Sequence, residues 1–230
     1  VARRARSWHT RWARVGPWRG RSDIALITLA APPPPTPAEL TKCLAKLRDD
    51  GYAEVVTGAL SPADTLVFVD AGFSTREKLH LLDHDMRNVP RRSIPTRRAR
   101  RADHDAVLTI DARAFHDFWV LDRDGLHNAL DATPMTRFRV VEVDGRPAAY
   151  AITGRASDKG YLQRIAVDPD AQGTGLGSGL VADALVWLVR HGVARTLVNT
   201  QLDNDAALAL YDACGFRRLP VGLCVLGRAL

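Results

Sequence analysis

A chain of 230 residues, 46% hydrophobic and 25% charged, is long enough to bury a core and has an ordinary globular composition. No apolar run reaches the roughly 18–20 residues of a membrane-spanning helix, and three scattered cysteines (Cys43, Cys214, Cys224), with no CxxC or paired-histidine spacing, exclude a disulfide framework and imply no metal. A cytoplasmic setting without membrane contact is therefore expected, and the net charge of +6 is uneven: residues 1–22 and 87–101 each hold seven arginines and no acid, which leaves −8 on the remainder.

In chain order, residues 1–22 read as a basic arm, expected to be disordered. Trp8, Trp12 and Trp18 interleave its arginines in a composition that can stack on single-stranded nucleic acid. No folded base-reading motif accompanies them, so nucleic acid is not the expected partner. Arg3-Arg4 ahead of the apolar run Ile24–Ala31 faintly imitates a twin-arginine export signal. The run is only eight residues long, begins beside Asp23 and ends in four prolines, so export is not expected. The first methionine is Met86, so Val1 is not read as a standard start.

An internal repeat follows. Leu40–Thr57 aligns with Val181–Val198, placing Leu44 on Leu185, Leu47 on Leu188 and Gly51 on Gly192. Thr65–Phe73 then aligns with Leu208–Phe216, and Leu79, Leu81 and Leu82 with Leu223, Val225 and Leu226. Each half reads helix, glycine stop, strand, helix, Gly-Phe, strand. The halves differ upstream of the first helix: the first has prolines (Pro32–Pro35) where the second has glycines, and prolines offer an anion no N–H groups.

In the second half, Ile94–Arg98 is expected as a strand, and Asp103 as the cap of a helix to about Ala114. A short helix is expected over Gly125–Ala132. Phe138–Val143 and Pro147–Thr153 flank Asp144-Gly145 as a hairpin. Tyr161–Val167 and Thr196–Thr200 read as strands, Ser178–Arg190 and Asn204–Ala213 as helices, and Leu223–Leu226 as a late strand. Between the Tyr161–Val167 strand and its helix lies Gln172-Gly173-Thr174-Gly175-Leu176-Gly177. Its glycines permit positive φ and close approach, and its N–H groups converge with the helix N-terminus on a site suited to a pyrophosphate. A P-loop is excluded because no lysine is present. A Rossmann fingerprint is excluded because Ser178 stands where the third glycine belongs and the next strand ends in Asn199-Thr200-Gln201, without an acid.

Three ordered motifs resemble the GNAT superfamily of N-acetyltransferases. The Q/R-x-x-G-x-G/A loop is matched by Gln172, Gly175 and Gly177. The apolar-Ala-Val-x-Pro strand end is matched by Ile165-Ala166-Val167-Asp168-Pro169. The N-x-x-A-x-x-L-Y…Gly-Phe signature is matched by Asn204, Ala207, Leu210, Tyr211 and Gly215-Phe216. The resemblance implies an α/β GNAT fold, a mixed and mostly antiparallel sheet flanked by helices. It implies a tandem arrangement of a degenerate, truncated GNAT-like half (23–90) and a catalytic domain (91–230). It also implies acetyl-CoA as co-substrate, with no metal. Ile165, Ala166 and Val167 would hold the pantetheine arm, and Gln172, Gly173, Thr174, Gly175, Leu176, Gly177 and Ser178 the pyrophosphate. Asn204 would lie near the thioester, and Tyr211 would be the general acid for direct attack in a ternary complex.

Many members of the family it resembles carry a glutamate or histidine as base on the fourth strand, and the fifth strand is the next place to look. Here those strands offer Tyr161, Gln163, Asn199 and Gln201, none of them basic near neutral pH. His116, Asp117 and Asp122 are candidates, and the base stays unassigned. Acceptor recognition is expected from Phe115–Leu130, with Phe115, Asp117 and Trp119 as contacts and Asp122 and Asp124 drawing a cationic amine. Phe115, Phe118 and Trp119 read equally well as core anchors of the preceding helix. The expected acceptor is an amine of a small molecule or a peptide, and a homodimer is compatible with these features. The alternative is a non-catalytic acyl-CoA-binding regulatory module.

Overall fold

The computed structural model describes residues 7–30, 33–90 and 94–230. Arg3, Arg4 and Arg6 of the arm, and Arg91 and Arg92 of the second basic segment, lie outside the described residues. In chain order the elements are β1 (Trp8–His9), β2 (Ala13–Trp18), β3 (Arg21–Leu29), α1 (Pro37–Asp49), β4 (Glu54–Thr57), α2 (Pro62–Asp70) and β5 (Ser74–His84). There follow β6 (Arg97–Arg98), α3 (His104–Ala114), α4 (Arg123–Leu130), β7 (Met135–Val143), β8 (Arg146–Ala156) and β9 (Lys159–Val167). The chain ends with α5 (Leu176–Arg190), β10 (Arg195–Gln201), α6 (Asp205–Ala213), β11 (Arg217–Arg218) and β12 (Leu223–Ala229). No helix among the described residues is long and apolar enough to cross a membrane.

The chain divides into two compact units. One runs up to Leu81 and includes Pro220–Leu230; the other is Leu82–Leu219. In the first, strands run in the order β1-β2-β3-β4-β12-β5, all antiparallel except the β3–β4 pair. α1 covers this sheet because Leu40, Leu44 and Leu47 recur on one face and are buried. Each such side chain contributes about 1.5–3 kcal/mol through burial.

This unit corrects three expectations. The arm is not disordered where it is described: β2 pairs with β3 from Ala13↔Leu29 to Trp18↔Arg21. Trp12, Ala13, Val15 and Trp18 are buried in the core, which outweighs the arginine count, and Arg11 folds outward to bond Glu39. The boundary falls after Leu81, within β5, instead of near residue 90. The last eleven residues return to the first unit because β12 finds its ladder partners in β4 and β5.

In the second unit the order is β10-β9-β8-β7-β6, antiparallel except for β9–β10. β11 pairs with the end of β5 through Arg217↔Asp83 and Arg218↔Leu82. The Asp144-Gly145 hairpin forms as its residues require, with φ of 51° and 74°. The expected strand Ile94–Arg98 shrinks to Arg97–Arg98, since Pro95 offers no N–H and Ile94 lies so close to Gly179 of α5 that a Cβ there would stand 2.5 Å from it. Asp103 does not cap α3 with its side chain. It takes a two-point ion pair from Arg97 at 2.7 Å and the Arg100 N–H at 2.6 Å. That pairing, led by the Arg97 hydrogen bonds, draws its pKa down to about 2. α4 is capped instead by Asp122, whose Oδ1 accepts from the Gly125 N–H at 2.7 Å.

Candidate functional site

The site begins where two parallel strands part. β10 pairs with β9 only at Arg195↔Lys159, Thr196↔Gly160 and Leu197↔Tyr161, while β9 continues to Val167. Along Ile165–Val167 the other edge of β9 is held by β8 through Ala151↔Ile165, Tyr150↔Ala166 and Ala149↔Val167. The side once facing β10 therefore presents ladder groups that an extended ligand can complete. The side chains of Ile165 and Val167 pack toward Leu180 and Leu176, and Ala166 is buried in the α3–α4 cluster, so these residues meet a ligand through their backbone.

A bulge interrupts β9 between the pairs Ile152↔Arg164 and Thr153↔Leu162. Leu162 and Ile165 accordingly both pack with α5 and α6, whereas the consecutive Gln163 and Arg164 both turn to the opposite face. There Gln163 Nε2 donates to Thr133 at 3.1 Å and Arg164 reaches Asp111 of α3.

After β9 the chain turns through a single 3-10 turn, Pro169–Ala171, tied to α3 by Arg113, which bonds Asp168 at 2.8 Å and Asp170 at 2.9 Å. Gln172 Nε2 donates to the Val167 carbonyl at 3.3 Å and Thr174 Oγ1 to the Ala171 carbonyl at 2.7 Å. Gly173 and Gly175 take φ of 76° and 87°, and a Cβ on Gly173 would meet open space. Gly175 is the N-cap of α5, so no side chain caps this helix and its first turn holds no acid; Ser178 Oγ bonds the Gly175 carbonyl at 3.0 Å. The α5 N–H groups and dipole are left for an external anion, which fits the pyrophosphate of acetyl-CoA.

α1, which the sequence alignment sets against α5, is the reverse case. Thr36 and Glu39 form a capping box there, with Glu39 Oε2 accepting from the Thr36 N–H at 2.9 Å and Thr36 Oγ1 from the Glu39 N–H at 3.3 Å. Arg11 neutralises the same carboxylate at 2.9 Å. This helix carries its own anion.

α6 lies beside the α5 N-terminus: a Cβ on Gly177 would stand 3.3 Å from Leu210. Asn204 caps α6, its Oδ1 accepting from the Ala207 N–H at 3.1 Å, while its Nδ2 donates to Gln201 Oε1 at 3.4 Å. Tyr211, 4% exposed, packs among Leu162, Leu185 and Val198, its ring 5.6 Å from that of Phe216. Burial pushes its phenol well above 10, Cys214 adds to that rise, and the positive charge of Arg164 opposes it.

The acceptor-side expectations divide. Phe115 and Trp119 come together around Arg164, whose guanidinium lies 3.5 Å from the Phe115 ring centroid and whose Nη2 donates to the Trp119 carbonyl at 2.6 Å. Asp117 is exposed on the same segment and takes no hydrogen bond or ion pair among the described residues. Asp122 is committed as a helix cap. Sequence reading missed Asp111, Tyr150 and Arg164, the buried group beneath this segment. The signals were an arginine inside the apolar run Tyr161–Val167 and an aspartate beside Val107 and Ile110 on the buried face of α3.

Residues 103–216 match the family model described as Acetyltransferase (GNAT) family. The [Ribosomal protein bS18]-alanine N-acetyltransferase of Escherichia coli (strain K12) is 40% identical over 78 residues, 34% of this chain and 53% of that protein. The mycothiol acetyltransferase of Salinispora arenicola (strain CNS-205) is 31% identical over 182 residues, 68% of this chain and 57% of that protein. The matches thus span little more than half the length of these relatives. A solved structure titled as a tandem GNAT protein from the clavulanic acid biosynthesis pathway aligns with a TM-score of 0.66 at 14% identity, covering 94% of this chain and 78% of that one, a likeness of fold alone.

Proposed function

Because residues 103–216 form a domain of the acetyltransferase (GNAT) family, we propose that the chain moves an acetyl group from acetyl-CoA to an amine of a small molecule or peptide. The observation that carries this reading is the uncapped, acid-free N-terminus of α5 beside the unpaired edge of β9, with the buried Tyr211 in one cluster with Leu162 of β9 and Leu185 of α5. The N–H groups of Gly173 through Ser178 bind the pyrophosphate, and the backbone of Ile165–Val167 takes the pantetheine arm as an added strand. Asn204, whose Oδ1 caps the helix and whose Nδ2 gives one hydrogen to Gln201, has a second Nδ2 hydrogen for the thioester end. Acetyl-CoA supplies a thioester carbonyl. The amine nitrogen forms the new C–N bond as the C–S bond breaks, and Tyr211 gives its proton to the departing sulfur and recovers one from the nitrogen. Burial suits this role, since a phenol held above its ordinary pKa stays protonated until thiolate charge develops.

One relative's name, an alanine N-acetyltransferase, supports an amine-bearing acceptor, and the other's, a mycothiol acetyltransferase, keeps a small molecule beside a protein as the acceptor. The second reading, a non-catalytic acyl-CoA-binding module, is favoured by the lack of an obvious base: Asp122 is spent on a cap, and β10 offers Asn199 and Gln201. Thiol release from acetyl-CoA over a panel of amines, with Tyr211→Phe alongside, decides between them. Coenzyme A binding without release on any amine would sustain the module and reject the enzyme.

We further read the first unit as a degenerate copy that binds no cofactor. The repeat supports this, as do the self-capped α1 and the ladder pair Leu79↔Leu223, which sets two repeat-equivalent residues directly opposite each other.

A further inference from the structure

The β9 bulge turns Arg164 away from the cofactor face and onto the segment that closes the acceptor side. Its guanidinium holds this segment at three points. Nε and Nη2 form a fork on Asp111 at 2.7 and 2.8 Å, Nη2 also donates to the Trp119 carbonyl at 2.6 Å, and the flat face lies on the Phe115 ring. The Asp111 carboxylate, fully buried, then accepts the Leu121 N–H at 2.7 Å and the Tyr150 hydroxyl. One ion pair thus ties α3, β8 and β9 to both ends of residues 115–121. Burying such a pair brings little net stability, because desolvation offsets much of the attraction, so its return is a unique geometry.

We propose that Arg164 is the positioning residue that fixes the Phe115–Leu121 segment as the acceptor wall and so sets which amines are accepted. This rests on the acetyl-transfer reading for its functional half. Lysine cannot replace arginine here, since a point charge neither forks onto Asp111 nor stacks on Phe115.

The test uses Arg164→Lys in the full chain, with the charge-neutral double variant Arg164→Gln/Asp111→Asn in case the first folds poorly. Three quantities are read: hydrogen exchange of the peptide covering residues 115–121, coenzyme A affinity by calorimetry, and KM and kcat over alanine-beginning peptides and small primary amines. The expected result is faster exchange confined to that segment and unchanged coenzyme A affinity. Acceptor KM should rise about tenfold, with preferences among amines flattened and kcat less affected. Unchanged exchange at 115–121 overturns the proposal whether or not the protein turns over. Loosened exchange with intact amine preferences, or a parallel loss of coenzyme A affinity, overturns it as well. A wild-type protein that binds no coenzyme A overturns the acetyl-transfer reading instead.

Discussion

Tyr211 and Phe68 fall on each other in the proposed repeat, and both are buried, so on that reading the same ring is kept for packing in each half while only one carries a hydroxyl. Tyr211→Phe should therefore leave the thermal midpoint nearly unchanged and lower turnover about a hundredfold, read as thiol release under saturating amine. Undiminished turnover would remove the phenol from the mechanism. Asp111 is the opposite kind of residue. Asp111→Ala strands the Arg164 guanidinium in the interior and should cost about 3–5 kcal/mol in urea denaturation. The two were unequally legible. Tyr211 and Asn204 stand in an ordered motif that survives in the local string, whereas Arg164 showed only as an arginine in an apolar run, with no sign of the face it takes. Strict alternation along Tyr161–Val167 would place Gln163 and Arg164 on opposite faces, and only the bulge puts them on one.

At the scale of elements, helix ends separate the two halves. α1, with 13 residues, and α5, with 15, are each followed by a glycine after the last turn, yet Glu39 fills the third helical position of α1 and Ser178 that of α5. Ser178→Glu should place a carboxylate at the proposed pyrophosphate site. Calorimetry should show coenzyme A affinity reduced at least about tenfold, while the helix gains about 0.3–1 kcal/mol from the favourable dipole contact. Unaltered affinity would mean that the α5 N-terminus is not the anion site. Most elements were readable because their cues are local: the Asp144-Gly145 turn, the Leu40/Leu44/Leu47 spacing, the proline run and the glycine loop. The arm was misread because arginines dominate its composition, while the short alternation of Ala13 and Val15 on the buried face decides its structure.

At the scale of the whole molecule, calorimetry should find a single equivalent of coenzyme A per chain, since the first unit's helix terminus is occupied by its own carboxylate; a second equivalent would contradict the degenerate reading. Stability should also depend on pH through His84, which is buried, accepts the Met86 N–H on Nδ1 at 3.0 Å and packs on the Phe216 ring at 5.2 Å. Burial lowers its pKa below 6.5, and the neighbouring Asp85 and Asp83 and the backbone only partly oppose that. The unfolded chain therefore binds the proton more readily. The His84 contribution is complete above about pH 6.5 and lost as the pH falls below it, and His84→Gln should flatten that slope in denaturation series between pH 7.5 and 5.5. The sequence alone determined most of the helices and strands, the contrast of prolines and glycines ahead of α1 and α5, and the tyrosine in α6 against the phenylalanine in α2, because capping, turn and periodicity rules act within a few residues. Only the tertiary structure decided that β12 returns to β4 and β5, that β9 parts from β10 beyond Tyr161, and that the bulge carries Arg164 to Asp111. Those outcomes depend on ladders and ion pairs between residues far apart in the chain, whose relative free energies no local pattern encodes.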